Sequence, residues 1–340
     1  MNFSATLLNW FKINKRCLPW RETNDAYAIW LSEVILQQTR IAQGMSYWER
    51  FMKQWPTVNE LAAATEDDVL RAWQGLGYYS RARNLHKAAQ QVVKLGGFPQ
   101  NFKDLKTLKG VGDYTAAAIA SIAFNEAVAV VDGNVYRVLS RHFGINTPID
   151  STEGKKVFQT LAQSLIPIND PANYNEAIMD FGAIQCTPAS PLCLTCPLCE
   201  SCIAYREQRI NELPIKSKKV KQRKRHLTYI YIEHEGKIAI HQRGAGDIWQ
   251  GLWELPHADL LTSTSNSLSN KEDILTKEAI LLKKDIKHVL THQILLVDLY
   301  LWQPDVRPLL PSDFIWIEKS CIDKYALPRL IEMLLEEIPD

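Results

Sequence analysis

From residue 3 to residue 205, apolar positions recur at mixed three- and four-residue spacings, the period of helices that bury one face. Residues 27–51 carry this period throughout, and residues 84–95 repeat it with charges on the opposite face. Thr65 followed by Glu66, Asp67 and Asp68 predicts a capped helix start with acids in its first turn. Gly96, Gly97 and Pro99 punctuate the chain after the 84–95 helix. Beyond Arg225 the period falls to two. Residues 227–233 and 237–241 predict strands joined through Glu235-Gly236, residues 294–302 and 314–317 predict two more, and 328–338 a closing helix. The polar tract 262–270 reads as a flexible loop. The chain is therefore expected to hold an all-helical domain over 1–206, a basic linker over 207–226 and an α+β domain over 227–340, with no internal repeat.

Composition narrows the class. The 340 residues are 46% hydrophobic and 23% charged, which suits folded domains rather than disorder. No apolar run approaches the roughly 18 residues of a membrane span, and the first residues lack a secretory pattern. A cytoplasmic, nucleoid-associated monomer with no membrane partner is expected. The formal charge of +1 requires any nucleic-acid affinity to come from local patches. One patch comprises Lys216, Lys218, Lys219, Lys221, Arg223, Lys224 and Arg225. It reads either as a solvated linker or as a segment lying along phosphates.

Three motifs carry chemistry. In Leu108-Lys109-Gly110-Val111-Gly112-Asp113-Tyr114-Thr115-Ala116, glycines flank one apolar residue and allow a tight turn between helices. Amides of Gly110 and Gly112 at the start of the next helix suit a phosphate, although a plain helix–helix turn has the same appearance. Asp132, before Gly133, reads as a helix N-cap or as a functional carboxylate. Five of seven cysteines crowd into residues 186–202, with Cys186, Cys193, Cys196 and Cys202 spaced as a four-thiolate site. A secreted disulfide framework does not fit this odd, clustered count, and spacing alone leaves zinc and iron–sulfur open.

Specific stretches resemble MutY-type adenine DNA glycosylases of the endonuclease III superfamily. They are Leu18-Pro19-Trp20-Arg21, residues 30–39 (WLSEVILQQT) and residues 75–84 (GLGYYSRARN), together with the Gly110/Gly112 hairpin and Asp132. The resemblance spans nearly the whole chain. It implies a helix–hairpin–helix element at about 104–123, one [4Fe–4S] cluster on Cys186, Cys193, Cys196 and Cys202, with Cys199 a bystander, and double-stranded DNA bearing an adenine mispair as partner. It also implies roles for single residues. Glu33 lies in an apolar stretch that would raise its pKa, fitting an acid that protonates adenine; on residues alone a surface Glu on an amphipathic helix is the better reading, and the resemblance reverses it. Asp132 would stabilise the sugar cation, Tyr114 would align that step, and Asn134 and Glu176 would belong to the pocket. Trp20 and Arg21 fall in the matching substrate-binding stretch. Gln38 and Tyr78 would fill the space left by an extruded base. Bifunctional relatives carry lysine where Tyr114 stands, so a monofunctional enzyme is expected.

The C-terminal part resembles the Nudix-like domain appended to these proteins, with Gly251-Leu252-Trp253-Glu254-Leu255-Pro256 as its signature. A glutamate-rich magnesium helix is not evident after it, so recognition without hydrolysis is expected. The family's Phe-Ser-His loop, which senses 8-oxoguanine, aligns with Leu290-Thr291-His292; Thr291 and His292 keep polar groups while Leu290 lacks the ring. Two alternatives oppose this reading. A pyrimidine glycosylase on the same scaffold is disfavoured by the missing lysine and the added domain. A non-enzymatic iron–sulfur DNA-binding protein would need neither Glu33 nor Asp132.

Overall fold

The computed structural model describes residues 2–217, 222–261 and 278–339. Two compact units emerge, Met1–Ala63 with Asn84–Lys219, and Ala64–Arg83 with Val220–Asp340. Among the described residues no helix is long and apolar enough to cross a membrane.

The first unit is helical. Helix α1 (Phe3–Asn14) starts where Asn2 accepts from the Ser4 and Ala5 amides, and it buries Phe3, Leu7, Trp10 and Phe11 on one stripe. Helix α2 (Ala26–Ile35) is buried on every side, and Glu33 is its one residue left partly open. The period over 27–51 predicted one helix, but the chain breaks at 36–40 and resumes as α3 (Ile41–Gln54). Gln38 takes a left-handed backbone with φ 57° there. Gly44 of α3 then packs so close to Leu36 that a Cβ would lie 2.6 Å from Leu36 Cδ2, so helix period survives the break while helix continuity does not.

Helix α4 (Val58–Ala63) precedes the segment that joins the other unit: α5 (Glu66–Trp73), capped by Thr65 as predicted, and the start of α6 (Ser80–Leu95). The expected hairpin is formed by α7 (Phe102–Leu105) and α8 (Asp113–Phe124). Gly110 at φ 76° approaches Asn84 so closely that a Cβ would clash at 2.6 Å. The residues Thr115 to Ser121 of α8 are buried, and their small side chains let α2 and α11 (Pro171–Asp180) pack against this helix. Helices α9 (Gly133–Phe143), α10 (Thr152–Leu165) and α12 (Ile203–Arg206) complete the unit. A π-helical turn, Phe181–Gln185, extends α11 into the cysteine loop.

The second unit is a six-stranded sheet ordered β3-β2-β1-β5-β4, with β6 also on β2. Its strands are β1 (Arg223–His234), β2 (Lys237–Gln242), β3 (Trp253–Glu254), β4 (Ile280–Val289), β5 (Gln293–Trp302) and β6 (Phe314–Glu318). β1 and β5 pair in parallel over their length, from Arg223↔Gln293 to Ile232↔Trp302. Leu227, Tyr229 and Tyr231 enter one core with the closing helix α14 (Arg329–Leu335), while Ile230 and Ile232 enter a second core with α13 (Ala258–Leu261). Burial on both faces makes β1 the centre of the unit. The expected basic linker is shortened, since Arg223, Lys224 and Arg225 are ladder residues; Lys218, Lys219 and Lys221, and the tract 262–270, lie outside the described residues.

Residues 64–83 were read from periodicity as part of the helical domain, yet they pack with the sheet unit. Val69, Leu70, Ala72 and Trp73 are buried. Gln242 donates to Asp67 (3.3 Å), Tyr79 to the Leu327 carbonyl (3.4 Å), and Arg83 to the Gln250 carbonyl.

Candidate active site and cysteine loop

In the helical unit, α2, α8, α9 and α11 bring four acids and a tyrosine into one region. Burial first, then the nearby charges of Asp132 and Glu176, lift the Glu33 carboxyl to about 7 against a hydrogen bond with Tyr114 and the Arg21 charge. Tyr114, at the first turn of α8, is itself pushed well up by burial and by Glu33 and Asp132. Its hydroxyl lies 3.3 Å from Met179 Sδ. Asp132 caps α9, accepting from the Val135 amide (2.8 Å) and from Asn134 Nδ2 (2.8 Å). Burial also raises Asp132, and those two donors restrain the rise.

Glu176 and Asp180 sit four residues apart on one face of α11 and have different surroundings. Arg21 Nε is 3.3 Å from Glu176, which burial nevertheless raises. Burial alone would raise Asp180, but hydrogen bonds from Arg21 (2.8 and 2.9 Å) and Arg16 outweigh it and hold the carboxyl below its usual range. Arg21 therefore fixes the acids of α11. Trp20 is buried edge-on against Trp48, a packing residue of the same unit. Gln38 is exposed at its left-handed bend, and its neighbour Gln37 donates to Thr115 Oγ1 (3.2 Å).

The cysteine loop connects to this region through Arg137, which the sequence reading missed. Its Nε donates to the Cys186 carbonyl (2.7 Å), and its Nη2 donates to the Gly182 carbonyl (2.6 Å) and to Asn134 Oδ1 (2.7 Å). Asn134 in turn donates to Asp132, so a continuous hydrogen-bonded path runs from the loop backbone to the carboxylate. One turn later, Arg141 binds the Thr187 and Pro188 carbonyls (2.7 and 2.9 Å), and its Nη1 lies 3.5 Å from Cys186 Sγ. Two arginines four apart on an otherwise apolar helix face were the available signal, because a buried arginine must have acceptors. Cys186, Cys193, Cys196, Cys199 and Cys202 line one cavity with Arg141, and none of the seven cysteines is disulfide-bonded. Among the described residues no three His, Cys, Asp or Glu side chains are gathered to hold a single metal ion.

A model of the HhH-GPD superfamily of base excision DNA repair proteins matches residues 31–165, and a NUDIX domain model matches 228–337. An adenine DNA glycosylase of Buchnera aphidicola subsp. Schizaphis graminum is 33% identical over 81% of this chain and 80% of its own length. The chain belongs to the adenine DNA glycosylase family. The human adenine DNA glycosylase is 45% identical over 62% of this chain and 40% of its own length. A thermostable thymine-DNA glycosylase structure is similar over 60% of this chain and 95% of its own, with a TM-score of 0.56 and 30% identity.

In this glycosylase the candidates Tyr78, Thr291 and His292 fall in the sheet unit. Thr291 and His292 are exposed in the turn between β4 and β5, closed by the Leu290 amide on the Gln293 carbonyl (2.8 Å). Tyr78, 44% exposed, hydrogen-bonds through its hydroxyl to that of Thr291. Arg81 is half-buried, with its guanidinium over the rings of Trp73 and Tyr78. Gly112 caps α8 in the open, with nothing within 4 Å of a Cβ position, whereas Gly110 is needed for close approach.

Proposed function

We propose that this glycosylase excises adenine mispaired with 8-oxoguanine or guanine in duplex DNA, without efficient strand cleavage. The observation that carries the reading is Glu33: a carboxyl lifted to about 7 beside a second, hydrogen-bonded carboxylate. In this scheme the protonated form of Glu33, populated up to about pH 7, delivers its proton to adenine N7. The C1′–N9 bond then breaks with its electron pair leaving on the base. Asp132 stabilises the cation developing at the sugar, water adds to C1′, and an abasic site and adenine are the products. Tyr114 orients Glu33 through their shared hydrogen bond, and having no amine it forms no Schiff base. Gly110 and Gly112 offer amides to phosphate at the start of α8. Gln38 and Tyr78 fill the space of the extruded base. Thr291 and His292 read the opposite base.

The cysteine loop is assigned one [4Fe–4S] cluster on Cys186, Cys193, Cys196 and Cys202. The four-cysteine spacing is similar to the family's iron–sulfur loop, and these thiols line one cavity, which supports a cluster there. When bound, the cluster cross-links the loop, and Arg137 and Arg141 hold the surrounding backbone. A Cys199→Ser variant is expected to keep iron–sulfur absorbance.

Single-turnover release from adenine opposite 8-oxoguanine tests the reading. Release by wild type that collapses in Glu33→Gln while DNA binding persists supports it. No adenine release with the cluster loaded overturns it, as does efficient borohydride trapping through a lysine.

A further inference from the structure

We propose that Cys199 is a reserve ligand of the cluster, taking the place of Cys193 when that thiolate is lost, so that the loop carries two overlapping four-thiolate sets. The inference rests on the cluster reading above and concerns the loop cysteine to which that reading gives no part.

Cys193, Cys196, Cys199 and Cys202 follow one another at intervals of three residues. The backbone repeats the same interval. The Cys196 amide donates to the Cys193 carbonyl (3.2 Å), the Cys199 amide to the Cys196 carbonyl (3.1 Å) and the Cys202 amide to the Cys199 carbonyl (3.2 Å). A chain that closes a hydrogen bond every third residue returns side chains at that spacing to one side. Cys199 accordingly lines the same cavity as Cys186, Cys193, Cys196 and Cys202. Leu198, 3% exposed in the core of the helical unit, anchors the turn that presents it. Burial first, and then thiolate charge at Cys186 and at Cys199, raise both Cys193 and Cys196, so the fifth sulfur is near enough for both to feel it.

The ligands are not held alike. Arg141 Nη1 lies 3.5 Å from Cys186 Sγ, and Cys202 Sγ is 3.4 Å from the Arg141 carbonyl. Cys196 accepts from the Leu198 amide, and Cys202 from the Ala204 and Tyr205 amides. Cys193 is flanked instead by Leu192 and Leu194, 55% and 89% exposed. Thiolates in open surroundings are the ones most readily oxidised, which makes Cys193 the ligand that needs a substitute.

Spacing supports the second set. Without Cys193 the loop reads Cys196-x2-Cys199-x2-Cys202 with Cys186 remote, and a Cys-x2-Cys-x2-Cys run with one distant cysteine is how bacterial ferredoxins hold a cluster. The exchange moves no electrons. The bond from iron to the Cys193 sulfur breaks and that sulfur takes up a proton, while the Cys199 thiol gives up a proton as its sulfur bonds the same iron.

The test uses the full-length protein, purified without oxygen, as wild type, Cys193→Ala, Cys199→Ala and the double variant; alanine offers the iron no substitute oxygen. Iron, acid-labile sulfide and visible absorbance report loading, and iodoacetamide labelling read by peptide mass reports which thiols are bound. Wild type and Cys199→Ala are expected to load fully, with Cys199 of the wild type alkylated. Cys193→Ala is expected to keep most of its iron and to protect Cys199 from alkylation. The double variant is expected to hold about tenfold less iron, because too few thiolates remain. Cys193→Ala that loads no better than the double variant, or that leaves Cys199 as reactive as in wild type, overturns the exchange alone. A wild type alkylated at Cys193 with Cys199 protected overturns the resting ligand set, and a wild type without iron–sulfur absorbance overturns the cluster reading itself.

Discussion

Each unit of the molecule buries one glutamate beside a tyrosine hydroxyl, and the two glutamates meet opposite environments. In the helical unit, Glu33 has Tyr114 as its hydrogen-bond partner and two further acids in its field, with Arg21 the opposing cation. Its carboxyl rises to about 7. In the sheet unit, Glu254 is 1% exposed, and burial alone would raise it as well. There the Tyr229 hydroxyl donates to it at 2.6 Å, Arg243 Nη1 lies at 2.5 Å and His241 Nδ1 at 3.4 Å. These partners hold it below its usual range. Burial by itself does not make a functional acid; at Glu33 it outweighs the opposing cation and keeps a proton available near neutral pH, whereas at Glu254 the partners outweigh it. Glu254 belongs to the stretch that resembles Nudix hydrolases, and its partners commit it to holding β3 against β1 and β2.

The comparison can be broken most sharply at Glu33. Glu33→Gln is expected to lower single-turnover adenine release by about 10²- to 10⁴-fold, the range of a general acid, without lowering the melting temperature. The converse substitution, Glu254→Leu, takes from Arg243 its buried carboxylate partner and leaves it Asp247 alone. Breaking such a buried pair typically costs about 3–5 kcal/mol, and denaturant unfolding measures it. Should Glu254→Leu prove neutral in stability while Glu33→Gln unfolds the protein, the roles of the two acids are exchanged.

A smaller effect is expected at the hydrogen-bonded path to Asp132. Arg137→Met removes donors to Asn134 and to the Cys186 and Gly182 carbonyls. Hydrogen bonds to charged groups contribute about 1.5–3 kcal/mol, so release is expected to slow roughly 10- to 100-fold with DNA binding retained. A fall in melting temperature with an unchanged rate would show Arg137 to be structural only.

The pH profile gives an effect of similar size. Glu33 acts in its protonated form, and its raised pKa keeps that form populated up to about 7. The rate is expected to be level below pH 7 and to fall tenfold per unit above it, measured as single-turnover constants from pH 5.5 to 8.5. Stability follows the same sign at this residue: ionisation of Glu33 opposes folding, and its contribution is lost as pH rises through about 7. Glu254 runs the other way. Its lowered pKa stabilises the fold above the ordinary value of 4.5 and loses that contribution on acidification.

Much of this was legible beforehand for a physical reason: periodicity reports which face is buried. The change of period after Arg225, the cap at Thr65 and the strands around residues 227–241 are local properties of sequence. β4 was missed because it has little alternation to read. Of its ten residues only Leu282, Ile286 and His288 are partly covered, and lysines occupy three of its positions. The break at 36–40 was missed because both helices keep the same apolar period across it. The assignment of 64–83 to the sheet unit was hidden for a related reason, since an amphipathic helix states that one face is buried and not against what.

The sequence by itself determined the kinds of groups available: two carboxylates in apolar contexts, a hairpin needing glycine, a four-thiolate spacing, and a switch from helices to strands. Tertiary structure alone decided which groups act. It paired Asp180 with Arg16 and Arg21 and Glu254 with Arg243, and it gave Glu33 a tyrosine and two like charges. A pKa is set by the net field and desolvation at one point in space, and the side chains that make that field at Glu33 come from α8, α9 and α11 and from Arg21, far apart along the chain.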